Sequence, residues 1–256
     1  MNQINWIGVY TMVYREVRRT FKVIVQTLVS PVMSAALYIF IFGHVLGSQI
    51  KTIAGVPYIT FVFPGILTLS IINASFASSS SSLFFARFIK NIDEILIAPL
   101  SYVEMIFGFM FGGVLRAVIV AVLILIVGVL FGAVSFVHPG AFLFYIMCVA
   151  GIFSLLGMLI ALWSDDFEQL SMLSTFVITP FTYLGGIFYS VAMLPPLAQT
   201  ITRANPFFYF VDGIRSAMTG VQEANVYIGL ALILGLFTAL VLLTIYLFKI
   251  GWRIRA

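Results

Sequence analysis

The chain has 256 residues, of which 62% are hydrophobic, 16% aromatic and only 9% charged. A soluble domain carries about 25% charged residues, and a water-exposed surface cannot be assembled from so few. Soluble enzymes, nucleic-acid modules and disordered tails are therefore excluded, which leaves an all-α polytopic membrane protein whose helices are apolar all round. Mean hydropathy of +1.15 agrees. The single Cys148 lies inside an apolar run, so an intrachain disulfide is impossible.

Residues 1–22 come first. On a helical wheel at about 100° per residue, Trp6, Tyr10, Val17 and Phe21 cluster around Val13, and Arg15, Arg18, Arg19 and Lys22 fall opposite. This is an interfacial amphipathic helix, with aromatics in lipid and cations toward anionic headgroups. It serves either as a plain anchor or as a surface that also touches a cytoplasmic partner.

Six stretches then meet the length of about 20 apolar residues that a span needs. They are about 23–46, 58–83, 105–134, 141–163, 170–189 and 226–248. The first is too long for the apolar core of a cleaved signal and has no small-residue cleavage site after it, so it reads as a retained span. The third is ambiguous because Arg116 sits inside it. Either one long tilted helix starts near Met105, or the dry part is only 117–134 and Arg116 snorkels to the interface. The run Ser78–Ser82 need not be a loop, because hydroxyls on an apolar helix bond to backbone carbonyls.

Between spans two and three, Phe85, Phe88, Ile92, Ile95 and Leu96 share one helical face. Arg87, Lys90, Asn91 and Glu94 share the other, and Pro99 ends the helix. A short amphipathic helix of mixed charge is expected there, as a docking knob or as a second interfacial helix. Between spans five and six, Leu194-Pro195-Pro196 and Asn205-Pro206 break an aromatic stretch that is too apolar for water and too interrupted to span. Short re-entrant helices are the expected solution. Asp212 and Arg215, three apart, are expected to pair across one turn.

Lys and Arg orient the body. With the amino terminus inside, Arg15, Arg18, Arg19, Lys22, Arg87, Lys90, Lys249, Arg253 and Arg255 are cytoplasmic. Only Lys51, Arg203 and Arg215 are outside. Both termini are then cytoplasmic, and the net charge of +4 is a topology signal, with no nucleic-acid partner implied.

The chemistry is sparse. There is no G-x-x-x-x-G-K-[ST] loop to hold a nucleotide, no H-E-x-x-H and no G-x-S-x-G. His44 and His138 stand alone, and Asp165-Asp166 reads as a solvated turn. Arg116 is the one intramembrane charge, with Glu104 near the edge. Ion-coupled carriers need intramembrane acids, and an intramembrane enzyme needs a nucleophile, base or metal set. Both classes are disfavoured. Gly108, Gly112 and Gly113 suit close helix packing.

Two stretches carry a resemblance. They are YLGGIFYSVAMLPPL at 183–197 with NPFFYFVDGIR at 205–215, and EILIAPLSYVEM at 94–105. In these, and over nearly its whole length, the chain resembles the permease subunits of ABC-2-type exporters. That group includes polysaccharide, nodulation-factor and drug-efflux permeases. The resemblance implies a homodimer in a bacterial inner membrane, bound to a separate ABC ATPase that itself holds ATP. This chain would bind no cofactor and would not be an enzyme. Residues 1–22 would be a connecting helix, and 23–252 the transmembrane domain. Arg87–Ile97 would be the coupling helix. Arg15, Arg18, Arg87, Phe88, Lys90, Asp93 and Glu94 would form the ATPase-facing surface. Pro195, Pro196, Asn205, Pro206, Asp212 and Arg215 would shape an outer gate. Ser190 departs from the proline of many relatives, which puts the bend after span five in question.

Overall fold

The computed structural model describes residues 5–22, 25–47 and 49–254. The start of the first span at 23–24, the His44 side chain and Arg255 lie outside the described residues.

Helix α1 (Trp6–Lys22) begins where the Asn5 carboxamide oxygen accepts the Gly8 N–H at 3.0 Å, as an N-cap does. The next helix, α2 (Ser30–Phe40), has π-helical turns at both ends, Val25–Val29 and Ile41–Leu46. The axes of Trp6–Lys22 and Thr27–Gly43 differ by 86°, so the chain turns sharply after α1. A two-residue hairpin, β1 (Thr52–Ile53) and β2 (Val56–Pro57), leads into α3 (Tyr58–Phe88). Thirty-one residues long, α3 is the stem of the molecule, and α5 (Tyr102–Leu130), α6 (Pro139–Trp163) and α10 (Pro206–Thr219) pack on it. The last helix, α11 (Val226–Ile250), leans on α6 and leaves most of its apolar surface exposed, as a lipid-facing helix does.

Among the described residues, α3, α5, α6 and α11 are each long and apolar enough to cross a membrane, and α1 with α2 passes as one bent pair. The expected fifth span, 170–189, is instead α7 (Phe167–Leu173), a π turn (Ser174–Ile178) and α8 (Thr179–Tyr183). It stops at Tyr183 because Gly186 adopts φ +79° and reverses the chain. The bend therefore forms without proline at 190. Ser190 accepts the Ala192 N–H instead and caps a short 3₁₀ turn.

The third span is one long helix starting near Met105, as the first of the two sequence alternatives has it. A capping box at Ser101 and Glu104 starts α5 at Tyr102, and the helix ends at Leu130. Residues 117–130 would reach only about 21 Å, short of roughly 30 Å of hydrocarbon. Arg116 therefore sits mid-helix, and Glu104 is part of the capping box that starts the helix.

The cytoplasmic helix expected over Arg87–Ile97 is broken. Phe88 ends α3, Lys90 sits at φ +58°, and a separate six-residue α4 (Ile92–Ile97) follows. The prolines set the other breaks. Pro196 and Pro206 stand in the first turn of α9 (Pro196–Ala204) and α10, where the missing N–H costs nothing.

Candidate functional site

Every fourth residue of α1 is buried, namely Met12, Glu16 and Thr20. This stripe lies against small residues of α5. A Cβ added at Gly108 would stand 2.8 Å from the Met12 side chain, and one at Gly112 2.8 Å from Glu16. Glycine at both positions is what lets the two helices touch.

Close approach carries a charge inside. Glu16 is fully buried, with Oε1 accepting from Arg15 at 3.1 Å and from the Ser82 hydroxyl at 2.7 Å. Its Oε2 accepts from Arg19 Nε at 3.0 Å. Arg19 in turn donates to the Ser78 carbonyl at 2.8 Å and to the Ser81 hydroxyl at 3.2 Å. Both carboxylate oxygens are thus satisfied, the condition for tolerating a buried charge. The serine run of α3 is the matching half of this latch.

Beside it lies the knob. Phe88, Lys90, Asp93 and Glu94 are exposed, while Ile92 and Ile95 anchor α4 inward. Arg15 and Glu94 line opposite walls of a groove of about 500 Å³ between α1 and α4. Asn5 fastens the start of α1 to the start of α5, its N–H donating to Glu104 at 2.7 Å.

A second charged cluster grips the other end of α3. Arg215 is fully buried, with its guanidinium 4.0 Å from the centre of the Phe61 ring. It donates to the carbonyls of Phe61 and Gly186 and pairs with Glu223 at 3.5 Å. Asp212 accepts the N–H groups of Glu223 and Ala224, each at 3.0 Å. Burial pushes the Asp212 carboxyl above the usual carboxylate range, against the pull of those two N–H groups and of Arg215. The expected Asp212–Arg215 pair is thus replaced: the ion pair runs to Glu223, because a turn after α10 brings Glu223 back over the helix. Ser190 donates to Glu223, so the loop after α8 is held by the same carboxylate. The Asn205 amide donates to the Phe181 carbonyl at 2.6 Å and ties the α9–α10 corner to α8. Pro195 and Pro196 start α9 beside exposed Leu197. Phe61 and Ser82, where the two clusters grip, are about 32 Å apart along the helix, close to the hydrocarbon thickness.

Between these ends, a small groove of about 220 Å³ opens among α2, α3 and α8, lined by Ser30, Ser34, Tyr38, Ser70, Asn73 and Tyr183. The Tyr38 and Tyr183 hydroxyls lie 3.2 Å apart. Hydroxyls and an amide gathered among largely apolar helices are costly unless they serve a polar occupant or each other.

Comparison with known proteins gives these features a context. A model of the ABC-2 type transporter family matches residues 8–219. The chain belongs to the ABC-2 type transporter family. It is 36% identical to the inner membrane transport permease YadH of Escherichia coli K12 over 224 residues, 87% of each chain. It is 27% identical to nodulation protein J of Neorhizobium galegae over 253 residues, covering 94% of this chain and 93% of the relative. Nodulation protein J of Rhizobium meliloti is 26% identical, covering 88% and 85%. The chain is thus a membrane transport permease in its family, built on membrane-spanning helices.

Not every residue expected at the cytoplasmic surface is there. Arg87 is buried and donates to the carbonyls of Ala161 and Ser164, at the carboxyl end of α6. A cation there offsets the helix dipole. Arg18 is exposed and Arg15 half-exposed, so they do present charge. Arg19, expected on the headgroup-facing side of the helix, is turned into the latch. Arg116 is half-buried, and its Nε meets no hydrogen-bond acceptor. Glu16 and Glu223 were missed. The usable signal for Glu16 was the four-residue step of Met12, Glu16 and Thr20 beside that of Gly108 and Gly112. For Glu223, a partner eight residues beyond Arg215 across a turn, the sequence holds none. Asp165 and Asp166 do lie in a turn, where Asp166 caps α7 through the Gln169 N–H at 2.7 Å and Asp165 is 3.6 Å from Arg253.

Proposed function

We propose that this chain is the membrane subunit of an ATP-driven exporter, acting as a homodimer with a separate ATPase that binds the ATP. Six passes with both termini in the cytoplasm fit the charge distribution, with α7–α8 as the fifth pass and α9–α10 as re-entrant helices at the outer face. The observation that carries the reading is mechanical. A charged, exposed knob (Phe88, Lys90, Asp93, Glu94) and an amphipathic helix with exposed Arg18 stand at one end of a chain with no nucleotide loop. The buried Glu16–Arg19–Ser82 latch fixes that helix to the stem α3. Force applied to the knob by a partner would reach α3 and α5 without slack, because each link is a satisfied buried contact or a close helix crossing.

The groove among α2, α3 and α8 is the proposed part of the substrate path. Its hydroxyl and amide lining supports an amphipathic substrate with a hydrogen-bonding head, such as a lipid-linked saccharide, over a purely apolar one. The outer cluster around Arg215 would hold the exit side in shape.

Two measurements on the knob test the proposal. A Phe88→Cys label, in a Cys148→Ser background, should react only after the cell membrane is permeabilised. Glu94→Lys should abolish stimulation of the ATPase in proteoliposomes while leaving insertion intact. A label that reacts from outside, or stimulation at the wild-type level, would refute the reading.

A further inference from the structure

The latch accounts for one acid and two of the four cations of α1. The other two are Arg18 and Lys22, one helical turn apart on α1. Among the described residues neither makes an ion pair or a hydrogen bond, and both acceptor oxygens of Glu16 are already engaged. With Arg15 and Arg19 they line a cavity of about 450 Å³ between α1 and the end of α3. Like charges at this spacing repel, and no buried acid in that wall remains to neutralise them. The arrangement is stable when an anion enters.

The rest of the wall says which kind of anion. Phe85, Ala86 and Ile89 of the α3 end form an apolar floor to the same cavity. A free inorganic anion gains nothing from such a floor, whereas an amphiphile does. Height points the same way. Trp6, Tyr10 and Phe21 are exposed on α1, and Tyr14, stacked on Tyr10, lines the cavity itself. Aromatics of this kind settle at the headgroup level of a membrane.

We infer that the cavity between α1 and the end of α3 seats the phosphate headgroup of an anionic phospholipid, with Arg18 and Lys22 as its ligands and Phe85 and Ile89 against its glycerol and acyl carbons. The site rests on the reading of α1 as an interfacial cytoplasmic helix, and it makes the resident lipid part of the surface beside the knob.

The experiment is native mass spectrometry of the full-length chain, purified without its ATPase and titrated with phosphatidylglycerol or phosphatidylcholine of equal acyl length. Wild type should retain phosphatidylglycerol selectively. Arg18→Gln with Lys22→Gln should cut that selectivity by about 30-fold, from the typical contribution of two cations at a membrane surface. Arg18→Lys with Lys22→Arg should keep it, which separates charge from fold. Unchanged selectivity in the glutamine variant would overturn the inference. So would displacement of the lipid by millimolar inorganic phosphate, which would assign the site to a soluble anion. A glutamine variant that keeps its lipid and loses only ATPase binding would assign the cations to protein docking instead. Retention is read on the purified chain, so its failure is distinct from failure of the orientation tested at Phe88.

Discussion

Arg215 and Arg19 both fasten a non-spanning helix to the stem α3, at opposite ends, and the comparison shows two ways of placing charge in a membrane protein. Arg215 is closed in: its guanidinium lies over Phe61, its N–H groups meet backbone carbonyls, and its acid arrives from a neighbouring turn. Arg19 is half-exposed, its carbonyl and hydroxyl acceptors all belong to the serine run, and Arg18 and Lys22 beside it have no ion-pair partner among the described residues. The first cluster has every group spent on the fold. The second has charge to spare, facing a cavity and the exposed knob. A closed cluster suits a part that must keep its shape, and an open one suits a part that meets partners.

Breaking the closed cluster should have the largest effect. Arg215→Ala removes the cation that pairs with Glu223 and its bonds to the Phe61 and Gly186 carbonyls in a buried site, a change worth about 3–5 kcal/mol. The expected outcome is a large fall in the unfolding temperature in detergent, with little folded protein recovered. A variant as stable as wild type would show that the cluster is ornamental and that the two ends do not differ in kind.

The contrast also marks what could be read from the sequence. Apolar length found the four long helices α3, α5, α6 and α11, and the helical wheel found the amphipathic α1, because both are properties of one segment. Pro195, Pro196 and Pro206 found the broken helices after α8, because proline acts on its own neighbourhood. Glu16 was missed because a wheel sees only its own helix. Its burial depends on Gly112 and Ser82, which lie 96 and 66 residues away in the chain. Arg215 was placed correctly near Asp212 but assigned the wrong acid, since three-residue spacing states who is near and not who is nearer. The Ser78–Ser82 hydroxyls were read as bonding to backbone carbonyls. That is true of Ser78 and Ser79, which reach carbonyls of α5, and of Ser80 and Ser81 on their own helix, while Ser82 donates to Glu16.

Breaking the open cluster should be milder and more specific. Glu16→Gln keeps the shape, removes the charge that Arg15 and Arg19 share, and costs about 1.5–3 kcal/mol, the range for hydrogen bonds to charged groups. The folded permease should survive and still bind the ATPase, yet stimulate it less, because α1 no longer moves with α3. Thermal unfolding and ATPase assays on the same proteoliposomes separate the two effects. Equal losses in both would make the latch a second structural lock and erase the difference drawn above.

The smallest expected effect concerns the residue that sequence and structure place differently. Arg87 was expected on the coupling surface, yet it holds the carbonyls of Ala161 and Ser164 at the end of α6. Arg87→Met fills much the same volume and removes the charge and both bonds. A cation at a helix carboxyl end contributes up to about 2 kcal/mol when partly buried. Stability should fall by about 1–2 kcal/mol on that basis, while stimulation per folded permease stays at the wild-type level. If stimulation is instead lost at unchanged stability, Arg87 belongs to the partner's contact after all. The boundary between the part that holds shape and the part that transmits force would then run through the end of α3 rather than through the chain break at Lys90.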